Sequence, residues 1–262
     1  MLKNKVAVIY GAGGAIGGAV ARAFAREGAN VFLAGRRQAP VEALAKEIVS
    51  TDRIAEAAEV DALDEKALEQ HMRSVIDKAG RVDISFNAVG LSDKTILGVP
   101  LAELNAEHFS MPISFYTSSY FLTARTAAKY MIPHKSGVIM TVTALPARTG
   151  TALNGGYGAA MAAKEALTRD LSFELARHGI RVVGLRPHGM PETDTMKKLF
   201  EVKMKPSGMS WEHFTAYLAG TTHPRRVMVL EEVGQMAAFM ASDGASGMTG
   251  TSVNLTMGAL DD

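Results

Sequence analysis

The chain has 262 residues, 47% of them hydrophobic, a formal net charge of +1 and no cysteine. Such a chain can bury a sizeable core, and its near-neutral balance offers neither a basic surface for nucleic acid nor an acidic tail. Without cysteine, disulfides, thiolate catalysis and Cys-based zinc sites are excluded, which is compatible with a reducing cytoplasm.

The first predicted strand is Val6–Tyr10. It enters a glycine-rich turn between Gly11 and Gly18, which leads into a helix over Ile16–Glu27 and a second strand over Asn30–Ala34. Lys3 and Lys5 ahead of apolar residues imitate a secretory signal, but the glycine density argues against one. The strand, turn, helix, strand order puts the glycines where a helix begins. There, unpaired N–H groups and a positive dipole end attract phosphate, and glycine lets the backbone approach it. Gly11, Gly14, Ile16 and Gly17 are the candidate cradle of a dinucleotide.

Further along, helices are expected at Val41–Val49, Asp64–Lys78, Ile113–Met131, Tyr157–Arg177 and Glu231–Ala241. Strands are expected at Arg53–Val60, Val82–Asn87, Val138–Thr143, Ile180–Arg186 and Ser252–Thr256. Strands separated by helices imply an α/β protein with a parallel sheet covered on both faces. No linker or repeat interrupts the pattern, so residues 1–262 read as one domain. The order breaks between Met190 and Pro224, where helical pieces Thr193–Met204 and Trp211–Ala219 flank Pro206-Ser207-Gly208. This stretch follows a strand's carboxyl end, where ligands bind in open sheets, so residues 190–224 read as a substrate lid. The plainer alternative is a surface excursion. No apolar stretch reaches the roughly 20 residues that span a bilayer.

Several motifs carry a resemblance. Tyr10-Gly11-Ala12-Gly13-Gly14-Ala15-Ile16-Gly17 follows the pattern TGxxxGxG, with Tyr10 for the threonine and Ala15 for the middle glycine. Asn87-Ala88-Val89-Gly90 follows Asn-Asn-Ala-Gly, and Asp61 stands after the third strand. Pro187-His188 occupies a Pro-Gly turn, Thr193 lies shortly beyond it, and the wording from Glu165 to Val182 is familiar. On these residues the chain resembles the single-domain short-chain dehydrogenase/reductase family over nearly its whole length. The resemblance implies a doubly wound Rossmann-type parallel sheet of about seven strands with helices on both faces. It also implies a nicotinamide cofactor held by the glycine turn, Asp61, Asn87, Gly90, Pro187 and Thr193, and a small-molecule substrate.

Cofactor choice has a physical reading. An acid at the end of the second strand would bind a ribose 2′-hydroxyl and repel a 2′-phosphate. Here Gly35 stands there, followed by Arg36 and Arg37, whose guanidinium forks suit a phosphate monoester. NADP(H) is therefore expected over NAD(H).

The family's chemistry rests on Ser, Tyr, Lys and Asn. The register from Glu165 onward aligns Tyr157 with the tyrosine and places the others on Ala144, Met161 and Tyr116. Tyr157 is the candidate proton donor or acceptor. Three helpers come into view. Lys164 lies two turns along nearly the same helix face as Tyr157, and a solvated surface role is its alternative. Thr143 offers a hydroxyl beside Ala144, although strand alternation points neighbours to opposite faces. His188 sits near the expected nicotinamide and can act near neutral pH, or serve as a polar loop residue. Tyr116 and Tyr120 lie one helical turn apart and either line a pocket or pack. Met190, Met196 and Met204 suit an adaptable apolar pocket or plain core filling.

The resulting expectation is an NADP(H)-dependent oxidoreductase with an atypical site, moving hydride between nicotinamide and a carbonyl or alcohol carbon. The alternatives are a dinucleotide-binding protein without redox chemistry (a sensor or partner subunit) and a non-redox lyase or isomerase. A cytoplasmic location is expected, and from the resemblance a homodimer or homotetramer. It would pair the helices Ile113–Met131 and Tyr157–Arg177 through alanine-rich faces, with neither nucleic acid nor membrane as partner.

Overall fold

The computed structural model describes residues 1–51, 53–91 and 97–261. Seven strands form one parallel sheet: β1 (Val6–Tyr10), β2 (Asn30–Gly35), β3 (Ala55–Glu59), β4 (Ile84–Asn87), β5 (Gly137–Val142), β6 (Ile180–Pro187) and β7 (Thr251–Leu255). Their order is β3-β2-β1-β4-β5-β6-β7, so the chain reverses direction across the sheet between β1 and β4. The helices are α1 (Ala15–Arg26), α2 (Gln38–Val49), α3 (Glu65–Ala79), α4 (Ala106–Met131), α5 (Tyr157–Leu175), α6 (Asp194–Leu199), α7 (Trp211–Gly220) and α8 (Leu230–Ala241). The α/β class, the seven parallel strands and the helices packing on the sheet match the sequence reading.

The sheet is covered on both faces, which is why β1 reads as a continuous apolar run rather than an alternating one. Ala7 and Ile9 face a layer that includes Phe24, Leu44 and Ala237, from α1, α2 and α8. Val6, Val8 and Tyr10 face Leu68, Met72 and Tyr120, from α3 and α4.

Two helix starts lie well before the sequence reading, those of α2 and α4. The first turn of α2 includes Pro40, where its missing N–H costs nothing because the first N–H groups lack partners anyway. Helix α4 begins at Ala106 rather than Ile113 and runs through Pro112. Asn105 caps it, its side-chain oxygen accepting from His108 N–H at 2.8 Å.

Between β6 and α8 the chain forms α6, a π turn over Phe200–Met204 and α7. These pieces share a small core of Phe200, Phe214 and Leu218, against which Met196, Met204 and Trp211 pack. Among the described residues no helix is long and apolar enough to cross a membrane.

Candidate active site

The glycine turn lies at the carboxyl end of β1, beside the point where the chain reverses direction. Gly11 has φ +77, and a Cβ there would lie 2.5 Å from the Ala88 carbonyl oxygen. A Cβ on Gly17 would lie 2.3 Å from the Gly11 carbonyl oxygen. Both positions therefore require glycine. Gly14 is the N-cap of α1 and no side chain caps the helix, so the helix start that includes Ile16 and Gly17 keeps its dipole end free for an anion. A dinucleotide's phosphates fit this uncapped glycine-lined start.

Tyr10, which replaces the family's threonine, leaves the turn uncrowded. Its ring points into the core, 6.1 Å from His71 in an edge-on arrangement. Neither Tyr10 Oη nor His71 Nδ1 has a hydrogen-bond partner among the described residues. Burial pushes the Tyr10 phenol up and the His71 imidazole down to about 4.

At the β2 end of the site, Arg36 and Arg37 are exposed. The Arg36 guanidinium lies over the Phe115 ring at 5.8 Å, a contact the sequence reading missed. Asp61 is exposed and its Oδ1 accepts from Leu63 N–H at 3.0 Å. Asn87 is buried and ties β4 to α4, donating from Nδ2 to the Ser119 carbonyl and to Thr123 Oγ1, both at 3.1 Å. Gly90 faces open space.

Tyr157 is the first residue of α5. The preceding Gly156 lets α5 start against α4, since a Cβ there would meet the Phe109 carbonyl oxygen at 2.0 Å. Tyr157, Ala144, Met161 and Tyr116 belong to one small apolar cluster with Leu91 and Ala160, so the structure brings all four aligned positions together. The Tyr157 side chain is half-buried. Its apolar surroundings, and secondarily Tyr116, hold its phenol above the usual tyrosine range. The rings of Tyr116 and Tyr157 meet edge-on at 5.6 Å, and Tyr116 Oη accepts from Leu91 N–H at 3.1 Å.

The three helper residues fare differently. Thr143 is not directed at Tyr157. Its hydroxyl donates to Glu165 Oε1 at 3.0 Å and lies 3.2 Å from the Leu185 carbonyl oxygen, as strand alternation requires. Glu165 is paired in turn with Arg186 through two contacts at 2.7 and 2.9 Å, a buried ion pair. Lys164 is not the solvated residue considered as its alternative. It is fully buried and donates to the Val142 carbonyl at 2.8 Å. His188 is not free in a loop. It is buried at the end of β6, with Nε2 3.0 Å from Thr221 Oγ1 and Nδ1 3.3 Å from the Gly189 carbonyl.

Pro187 ends β6, paired in register with Leu255. Thr193 caps α6, its hydroxyl oxygen accepting from Met196 N–H at 3.3 Å. The segment 190–224 is pinned over neighbouring loops. Lys203 donates to the Ala152 carbonyl at 2.6 Å, and a Cβ on Gly98 would lie 3.0 Å from Val202 Cγ1.

A seven-stranded parallel sheet of this order, with a glycine turn at its reversal point, is the architecture of dinucleotide-binding α/β proteins. A family model described as Enoyl-(Acyl carrier protein) reductase matches residues 11–259. The 3alpha-hydroxysteroid dehydrogenase of Mediterraneibacter gnavus is 31% identical over 260 residues, covering 95% of this chain and 94% of its own. The 3-oxoacyl-(acyl-carrier-protein) reductase FabG of Rickettsia conorii is 29% identical over 259 residues, covering 99% and 98%. The crystal structure of sorbitol-6-phosphate 2-dehydrogenase SrlD from Erwinia amylovora aligns with TM-score 0.89 at 26% identity, covering 98% and 100%. The chain belongs to the short-chain dehydrogenase/reductase family.

Proposed function

We propose that this protein is an NADP(H)-dependent oxidoreductase acting on a carbonyl or alcohol carbon of a small molecule, with Tyr157 as the group that gives or takes the substrate proton. One observation carries the reading: Tyr157 heads α5 at the carboxyl edge of a sheet whose glycine turn and family match span residues 11–259. When bound, the cofactor supplies or accepts the hydride. The chain's own residues do the rest. Gly11, Gly14, Ile16 and Gly17 receive the phosphates at the α1 start, and Arg36 and Arg37 select a 2′-phosphate by charge-assisted hydrogen bonds. Asp61, Asn87, Gly90, Pro187 and Thr193 border the remaining cofactor, Asn87 by holding β4 in place. The 190–224 segment closes over the substrate and excludes water. Fluorescence titration with NADPH and NADH, followed by stopped-flow measurement with a ketone panel from pH 6 to 10, tests this reading. Absence of hydride transfer throughout refutes it.

A second reading, cofactor binding without redox chemistry, is favoured by a specific observation. Met161 and Ala144 place apolar groups beside a phenol that burial holds protonated. An untuned tyrosine gives up much of the roughly 10²–10⁴-fold that acid–base assistance supplies. On this reading the protein is a cofactor sensor or partner subunit.

A further inference from the structure

Lys164 is 1% exposed, and among the described residues its ammonium has one hydrogen-bond partner, the Val142 carbonyl at 2.8 Å. Burying a charge without a counter-ion is expensive, so such a lysine calls for a reason. Glu165 beside it is held elsewhere, by Arg186 and Thr143. What brackets Lys164 is aromatic: Nζ lies 5.8 Å from the Tyr116 ring centroid and 5.6 Å from that of Tyr120. Tyr120 is locked in place, its hydroxyl 3.1 Å from Thr168 Oγ1. Tyr116 is held by Leu91 on one side and rests edge-on against Tyr157 on the other. Tyr116 thus meets both Lys164 and Tyr157. Met161 lies one turn nearer the α5 start than Lys164, and helical side chains lean toward that start.

We propose that Lys164 is the positioning residue of the Tyr157 site: its buried ammonium clamps Tyr116 by cation–π contact, fixing the ring on which Tyr157 rests when its proton leaves for the substrate oxygen. The inference rests on Tyr157 being the proton donor. In that step the Tyr157 O–H bond breaks and its electron pair stays on the phenolate oxygen. The proton joins the substrate oxygen, and the carbon accepts hydride from the dihydronicotinamide. Cation–π attraction is strongest where water is excluded, as it is here. Burial also lowers Lys164 to about 7, so its charge is carried below neutrality and lost above it. The titratable groups around it are Tyr116 and Tyr120 from α4, Tyr157 and Glu165 on α5 itself, and Arg186 from β6, paired with Glu165; β5 contributes the Val142 carbonyl.

The test uses the full chain with ¹³C-labelled tyrosine and lysine, titrated by NMR from pH 5 to 9. Y116F and Y157F assign the ring signals. One lysine signal is expected to titrate near neutrality and vanish in K164M. The Tyr116 and Tyr157 ring carbons should shift with the same midpoint in the native protein and lose that response in K164M. In K164R, which keeps a charge at every pH, they should stay at their low-pH positions. A Tyr157 signal that is flat in the native protein, or that titrates unchanged in K164M or K164R, overturns the proposal. Stopped-flow oxidation of NADPH by a ketone panel is read separately. If the ring signals behave as stated and no hydride moves, the oxidoreductase reading fails while the coupling of Lys164 to Tyr157 stands.

Discussion

Arg36 and Phe115 face each other, with the guanidinium 5.8 Å from the ring centroid. Arg36 follows β2 and Phe115 lies on α4, so the contact spans the edge where the dinucleotide is proposed to lie. Phe115 meets Tyr116 edge-on at 5.5 Å, and Tyr116 meets Tyr157, so one row of side chains joins Arg36, proposed to select the cofactor, to the proposed proton donor.

That arrangement sets the first prediction. Replacing Arg36 and Arg37 together by alanine is expected to weaken NADPH about 10–100-fold, the worth of one or two hydrogen bonds to a charged group. NADH affinity should change little. Phe115→Leu frees Arg36 and should tighten NADPH only a few-fold, since exposed cation–π contacts are worth about 0.5–1 kcal/mol. Fluorescence titration reads all three. Equal losses for both cofactors would show that the arginines do not select the 2′-phosphate.

Repairing the site separates the two functional readings. Met161→Lys combined with Ala144→Ser is expected to raise the ketone reduction rate about tenfold or more, because acid–base assistance is worth about 10²–10⁴ when complete. No gain in a folded, NADPH-binding double variant supports the second reading.

His71 makes the fold sensitive to acid. Its buried imidazole, with Lys78 adding to the effect, is lowered from 6.5 to about 4. Between those values the unfolded chain takes up a proton that the folded chain refuses. Stability should fall as pH drops from about 6.5 toward 4, by up to about 1.4 kcal/mol per pH unit. His71→Phe keeps a ring against Tyr10 and should flatten that slope in urea melts across this range.

The buried Glu165–Arg186 pair predicts a strong asymmetry. Glu165→Gln withdraws a buried carboxylate from Arg186 and is expected to cost up to about 3–5 kcal/mol in denaturant unfolding. The double variant Glu165→Leu with Arg186→Met removes both charges and should cost distinctly less. Equal costs would show that the pair is not the source.

The alanine-rich faces expected to pair are largely spent in the core, with Ala124, Ala127, Ala128 and Ala160 buried, while the same helices carry exposed Phe121 and Phe173, the latter at 89%. Apolar rings left open on the two helices expected to pair predict a dimer or tetramer. Light scattering should show it, and Phe173→Glu should shift the population toward monomer. A native monomer removes the expectation.

Much was legible because it is local. β1 was read to the residue, since an apolar run ending at Gly11 has few other meanings. The glycine turn followed from spacing, and its requirement for glycine appears in the space that a Cβ would need at Gly11 and Gly17. The start of α4 was not legible. Pro112 is a breaker by propensity, yet the helix runs through it with the Phe109 carbonyl packed close against Gly156. Periodicity placed Lys164 on the same face as Tyr157 but could not say whether that face met solvent or two aromatic rings.

The sequence by itself determined the class: alternating strands and helices, a glycine-rich turn at a helix start, two arginines where an acid would select NAD, and Tyr157 in register without its usual companions. Backbone chemistry and short spacings decide these, and they act within a few residues of one another. Only the tertiary structure decided which side chains meet. Thr143 turns to Glu165, His188 reaches Thr221, Arg36 lies on Phe115, and Lys164 sits beneath Tyr116. Each of these contacts joins residues more than twenty positions apart, and burial, which sets the charge of Lys164 and His71, exists only once distant elements have packed.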